Sequence, residues 1–274
     1  MKYAQLVIGP AGSGKSTYCA AVARHGEAIG RKISVVNLDP AAEHFDYNPI
    51  VDVRNLITSA DVMQDQELRM GPNGALIFAM EYLVQNDDWI EENFADYDDE
   101  YILFDCPGQI ELYAYLNVMK KLVEHLIRID FRMCAVFLMD CTFASDRSKF
   151  FSGILVSLST LINLELPYIN LLSKTDLLTV REKKELEEML EPQVDLLLED
   201  KRLDTPDDRD WPQFSALTIA LGRLIDDYSL VKFFTLNLQE EESISDILLV
   251  IDNAIQFGED ADVKIPRDPE NQDE

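Results

Sequence analysis

The sequence predicts an α/β fold, a mostly parallel sheet with helices on both faces, and three observations carry that expectation. Short apolar runs alternate along the chain with longer stretches of helical pattern, which is the rhythm of a sheet covered by helices. The runs are largely apolar throughout, as suits strands buried on both faces. The first run also leads through a glycine-rich loop directly into a helical stretch.

The elements follow in order. Candidate strands are Tyr3–Ile8, Ile33–Leu38, Tyr101–Phe104, Met133–Met139, Tyr168–Leu172 and Leu230–Leu236. Helical patterns occupy Gly14–Ile29, Gln109–Ile129, Asp146–Asn163, Val180–Leu190, Gln213–Tyr228 and Ser243–Phe257. Pro167 separates the third helix from the strand after it. Residues 40–100 hold only helix-like and loop-like sequence, more than one crossover needs, and are expected to be a helical insertion after the second strand. Within them, the eight acids of Asp87–Glu100 suggest a solvated face or loop. Glu191–Pro212, with Pro192, Pro206 and Pro212, is expected to be a loop. The 274 residues therefore divide into one domain over 1–258 and an acidic, disordered tail over 259–274.

Composition narrows the function. An apolar fraction of 47% permits a sizeable core. Lys and Arg number 24 against 51 Asp and Glu, a formal charge of -27, which leaves little for a basic face and disfavours nucleic acid and anionic membranes as partners. The apolar run before Gly9-Pro10 is too short for a signal peptide, and no later run is long enough to span a bilayer. Cys19, Cys106, Cys134 and Cys141 lack a C-x-x-C spacing and read as reduced, buried thiols of an intracellular protein.

Three motifs carry chemistry. Gly9-Pro10-Ala11-Gly12-Ser13-Gly14-Lys15-Ser16 matches G-x-x-x-x-G-K-[ST], the phosphate loop of P-loop NTPases. Its backbone N–H groups can turn around phosphate oxygens, and the helix behind it points its positive end at the anion. Lys15 would reach the β- and γ-phosphates, and the Ser16 hydroxyl would ligate Mg²⁺. Asp105 ends an apolar strand and opens Asp105-Cys106-Pro107-Gly108-Gln109. An Asp there can hold the magnesium directly or through water, and Gly108 could offer its N–H to the γ-phosphate. The plainer alternative is a loop-starting or capping Asp. Ser173-Lys174-Thr175-Asp176 follows the fifth strand and resembles the [NTS]-K-x-D element that reads guanine. The Asp176 carboxylate would accept from guanine N1–H and N2–H₂, whereas adenine has no such donor pair. Ser215-Ala216 opens a helical pattern and is read as structural, leaving backbone near Phe234–Asn237 for further base contacts.

Gly71-Pro72-Asn73 is by itself an ordinary turn tripeptide. Taken with Gly9–Thr17, Asn37-Leu38-Asp39-Pro40-Ala41, Asp105–Glu111 and Ser173–Asp176, it makes the chain resemble the GPN-loop GTPases over residues 1–260. Three stretches, Asp39–Phe45, Leu224–Ser229 and Phe257–Asp260, look most like the third eukaryotic paralogue. The resemblance implies a P-loop NTPase sheet, GTP and GDP as ligands, Mg²⁺, and a homodimer or a heterodimer with a sister GPN-loop GTPase. It implies that Gly12, Ser13, Gly14, Lys15, Ser16, Thr17, Gly108, Lys174 and Asp176 bind the nucleotide and that Ser16 and Asp105 hold the metal. Asp39, Gln109 and Glu111 become candidates for positioning the attacking water, unranked, and Asn73 for reaching the partner's phosphate site. Strand-end turns and helix starts are the plainer readings of those three. The implied role is assembly and nuclear import of RNA polymerase II through contact with its subunits, in a cytoplasmic protein that shuttles to the nucleus. Two other functions compete: a nucleotide-stabilised scaffold subunit with little hydrolysis, and a P-loop kinase for a small metabolite. Asp176 and Gln109 argue against the kinase.

Overall fold

The computed structural model describes residues 2–95, 101–145, 147–190 and 232–259. Its seven strands are β1 (Lys2–Ile8), β2 (Ile33–Asn37), β3 (Val51–Asp52), β4 (Tyr101–Asp105), β5 (Phe131–Asp140), β6 (Tyr168–Ser173) and β7 (Phe233–Thr235). They form one sheet in the order β3-β2-β4-β1-β5-β6-β7, and every pairing is parallel. The chain moves outward from β1 to one side and later to the other, so β1 lies at the point where the winding reverses. Loops leaving the carboxyl ends of β1 and its neighbours converge there, the usual crevice of such sheets.

The helices are α1 (Lys15–Ala28), α2 (Ser59–Gln64), α3 (Pro72–Gln85), α4 (Asp87–Phe94), α5 (Glu111–Ala114), α6 (Val118–Arg128), α7 (Arg147–Leu164), α8 (Val180–Leu190) and α9 (Glu241–Ile255). Successive strand side chains point to opposite faces. Tyr3 and Val7 of β1 thus pack with Tyr18 and Val22 of α1 and Ile247 and Ile251 of α9. Leu6 and Ile8 pack on the other face with Met80 of α3, Phe94 of α4, Leu122 of α6 and Ile154 of α7. The expected helices on both faces and the helical insertion after the second strand are both present.

Two expectations need correction, and a third resolves between its alternatives. The insertion also contains a strand, β3, whose two residues pair with Val36 and Asn37 at the sheet edge; two residues carry no periodic signal. Of the solvated face or loop expected from Asp87, the structure shows the face: Asp87, Asp88, Glu91 and Glu92 are exposed on helix α4, while Ile90 and Phe94, one turn apart, enter the core. The single helix expected over Gln109–Ile129 is broken into α5 and α6 at Tyr115, where φ is -151°. The carbonyls freed by that break are taken by α7. Asn163 Nδ2 donates to Tyr113 O at 2.7 Å and Leu116 O at 3.2 Å, and Ser159 Oγ donates to Ala114 O at 2.9 Å. A distant helix thus makes the break affordable to a backbone that must satisfy its polar groups. The helix expected at Gln213–Tyr228, the loop Glu191–Pro212, the Ser215-Ala216 pair and the tail beyond residue 259 lie outside the described residues.

Candidate functional site

The phosphate loop begins where β1 ends. Gly9 has φ +142°, and a Cβ on it would lie 2.2 Å from the Leu138 carbonyl oxygen of β5, so only glycine lets the loop leave between the two central strands. Ser13 N–H closes the turn on Pro10 O at 3.2 Å, and α1 then starts at Lys15, placing Ser16 and Thr17 in its first turn. The Lys15 ammonium folds back on the Gly9 and Pro10 carbonyls, both at 3.2 Å. Burial lowers its pKa, while Asp105 and Asp39 pull the other way. A buried ammonium held by two weak contacts at the mouth of an N–H cradle is placed to transfer to an incoming phosphate.

Strand register assembles the next group. Asp52, Asn37 and Asp105 end β3, β2 and β4 and are paired in one row across the sheet, with Val7 of β1 continuing it. The Ser16 hydroxyl lies near the Asp105 carboxylate, which burial pushes above the ordinary range against the pull of Ser16, Tyr47 and Lys15. A hydroxyl and a carboxylate, both hard oxygen donors, fit a magnesium ion beside a phosphate site. Gly108 packs on the phosphate loop, since a Cβ there would lie 2.9 Å from Ala11 Cα.

The candidates for water positioning differ in placement. Asp39 is half-buried just past β2, its Oδ1 accepting from Ala41 N–H at 2.9 Å, and burial raises its pKa. Gln109 is half-buried and donates through Nε2 to Asn73 Oδ1 at 3.1 Å. The structure thus brings Asn73, in the first turn of α3, beside Gln109 of its own chain. Glu111 opens α5 and is exposed.

The base-reading loop is tied to the same framework. Ser173 Oγ donates to Ser13 O at 2.7 Å, which couples it directly to the phosphate loop. Lys174 has φ +62° and its ammonium sits on Asp140 Oδ2 at 2.7 Å. Thr175 Oγ1 donates to Leu236 O at 2.8 Å, which fixes the loop to the turn after β7. Just past these anchors Asp176 stands exposed, free to accept from a base. On the α8 side of the loop, a cavity of about 220 Å³ is lined by Thr175, Lys183, Thr235 and Asn237, among others.

The residues that sequence reasoning missed are Tyr47, Asn37, Asp52 and Arg54. Tyr47 donates its hydroxyl to Asp105 Oδ2 at 2.7 Å. Asn37 ties Asp39 to Asp52, and Arg54 clamps Asp52 with contacts from 2.6 Å. No motif marks Tyr47, Asp52 or Arg54, because their positions depend on the order of the strands, and Asn37 stands in the stretch Asn37–Ala41, which says nothing of its bond to Asp52.

The fold and site have counterparts among known proteins. A family model described as "conserved hypothetical ATP binding protein" matches residues 7–257. A Danio rerio protein named GPN-loop GTPase 3 is 51% identical over 267 residues, covering 97% of this chain and 92% of its own length. Proteins of the same name from Xenopus tropicalis (50% identity, 98% and 93% covered) and Dictyostelium discoideum (47%, 97% and 91%) are similar over the same span. The crystal structure of a GTPase in apo form from Pyrococcus abyssi matches with a TM-score of 0.75 at 23% identity, over 92% of this chain and 97% of that one. At that identity the likeness speaks for the fold, an α/β P-loop NTPase.

Proposed function

The chain belongs to the GPN-loop GTPases, and from that premise we propose that it is a Mg²⁺-dependent GTP hydrolase working as a dimer in the assembly and import of RNA polymerase II. The observation that carries the GTPase reading is the convergence, at one end of the sheet, of the Gly9–Ser16 loop, the Ser16–Asp105 pair and an exposed Asp176. Although the matching family model is described as ATP-binding, the Asp176 carboxylate favours guanine, since adenine would leave it unpaired.

In this reading the N–H groups of Gly12–Thr17 and of Gly108 cradle the phosphates, and Lys15 leaves the Gly9 and Pro10 carbonyls for the β- and γ-oxygens. Ser16 and Asp105 hold the magnesium, which would neutralise charge on the transferring phosphoryl group. Asp39 and Gln109 position the water. Burial has already moved the Asp39 carboxyl toward the pKa a general base requires.

Dimerisation and client binding rest on surface features. Tyr115 and Ile162, 67% and 62% exposed, flank the α5–α7 contact, and large apolar groups in that position suit a second copy or a sister GTPase. The charge of -27 suits a basic client subunit, in a protein of the cytoplasm that shuttles to the nucleus. Among the described residues no helix is long and apolar enough to cross a membrane.

Two measurements test this. Incubation with GTP is expected to release free phosphate with no phosphorylated acceptor, and a phosphorylated small molecule would establish a kinase instead. Capture from native extract with the protein held in GDP or in a non-hydrolysable GTP analogue is expected to recover polymerase subunits or a sister GTPase in different amounts. Identical partners in both states would favour a scaffold.

A further inference from the structure

Tyr47 is carried by the loop between β2 and β3, half-buried, with its hydroxyl donating to Asp105 Oδ2 at 2.7 Å. The loop that bears it is itself held. The Tyr47 ring stacks on Phe45 with centroids 4.9 Å apart and planes 21° off parallel. The Arg54 guanidinium covers Phe45 at 4.6 Å from its centroid. Arg54 in turn grips Asp52 Oδ2 at 2.6 Å through Nη2 and the Ala42 carbonyl at 3.0 Å through Nη1. The same Asp52 accepts from Asn37 Nδ2 at 2.8 Å, and Asn37 holds both the N–H and the carbonyl of Asp39. One continuous set of contacts therefore runs from Asp39 to Asp105 without passing through the phosphate loop.

Resting on the reading of Ser16 and Asp105 as the magnesium-holding pair, we propose that Tyr47 is the positioning residue of that pair. A buried carboxylate must have its oxygens hydrogen-bonded, and each donor also restricts how the group can turn. The Tyr47 hydroxyl occupies Oδ2 and so restricts how the carboxylate can turn. The stack on Phe45 and the Arg54 cover fix the phenol in turn. Tyr47 has no place in the phosphate cradle or the base loop, so its loss acts on the metal and not on the nucleotide.

The test is a MgCl₂ titration of the intact protein bound to a fluorescent GDP analogue, with GDP affinity measured separately in excess chelator. Tyr47→Phe keeps the ring and its stack and removes only the hydroxyl. Losing a hydrogen bond to a buried carboxylate is expected to raise the Mg²⁺ midpoint about tenfold or more, with chelated GDP affinity unchanged and the protein still folding cooperatively. A midpoint that stays put or falls overturns the proposal. So does a result in which Tyr47→Ala shifts the midpoint while Tyr47→Phe behaves as native, because the ring alone would then matter. If the native protein binds GDP with no dependence on Mg²⁺, the reading of Ser16 and Asp105 fails and takes the proposal with it. If GDP binding is absent even with Mg²⁺, the phosphate-loop reading itself fails.

Discussion

Gly108→Ala separates catalysis from folding at a single methyl group. The added Cβ would lie 2.9 Å from Ala11 Cα, 3.0 Å from Ala11 Cβ and 3.2 Å from Ala11 N. Ordinary carbon contacts are about 3.5–4.0 Å, so Gly108 and the phosphate loop must part by roughly 0.5–1 Å. The backbone at Gly108 is not in the left-handed region, so no torsional strain adds to this. Ala11 is exposed, but its close atoms are backbone and Cβ, so a loop segment has to move and the stability cost is about 1–3 kcal/mol, at roughly 2–4 °C in Tm per kcal/mol. Displacement on that scale at a reacting centre costs on the order of a hundredfold in rate. Single-turnover GTP hydrolysis is therefore expected to fall about 10- to 100-fold, with Tm lowered by no more than about 10 °C. Hydrolysis at the native rate would refute the argument that Gly108 sets the loop's position. A large loss of Tm would show instead that the contact belongs to the core.

Other expectations follow from the same geometry. Gly9→Ala combines φ +142° with a 2.2 Å approach to Leu138 O, in the central β1–β5 pairing, and should cost about 3 kcal/mol or more in chemical unfolding. Asn163→Ala leaves the carbonyls of Tyr113 and Leu116 without their donor and should cost about 1–3 kcal/mol, measured by urea titration. Asp105→Asn should raise the Tm of the nucleotide-free protein at neutral pH while weakening its Mg²⁺-dependent GDP binding. The sign follows from burial, which raises the folded carboxyl's pKa above its unfolded value. The folded state then binds the proton more readily, so stability falls as pH rises from about 4 through the folded pKa and stays lower above it. A scan of Tm against pH should lose that slope in Asp105→Asn.

What was legible in the sequence is what local chemistry fixes. Gly9–Ser16 could be recognised because a strand, tight glycine torsions and a helix start occupy consecutive residues. Asp105 and Ser173–Asp176 could be recognised because each directly follows an apolar run that had to be a strand. Tyr47 was not legible. It reaches Asp105 across 58 residues, and only the placement of β4 beside β2 brings the two together. The break between α5 and α6 was hidden for the same reason, since the apolar pattern runs on through it. The residues that satisfy the broken turn, Ser159 and Asn163, lie 45 to 50 positions away. Between a solvated helix face and a loop at α4 the acids could not decide, and Ile90 and Phe94, buried one turn apart, settle it for the helix. Neighbouring elements decide such cases, and one-dimensional patterns do not record them.

In the proposed function Asp176 reads guanine, and the decisive measurement is equilibrium binding of GDP and ADP to the native protein and to Asp176→Asn. Native protein is expected to prefer GDP by at least about a hundredfold, and Asp176→Asn to lose that preference and bind the xanthine diphosphate better. Equal affinity for GDP and ADP, or a GDP preference that survives Asp176→Asn, would contradict the account.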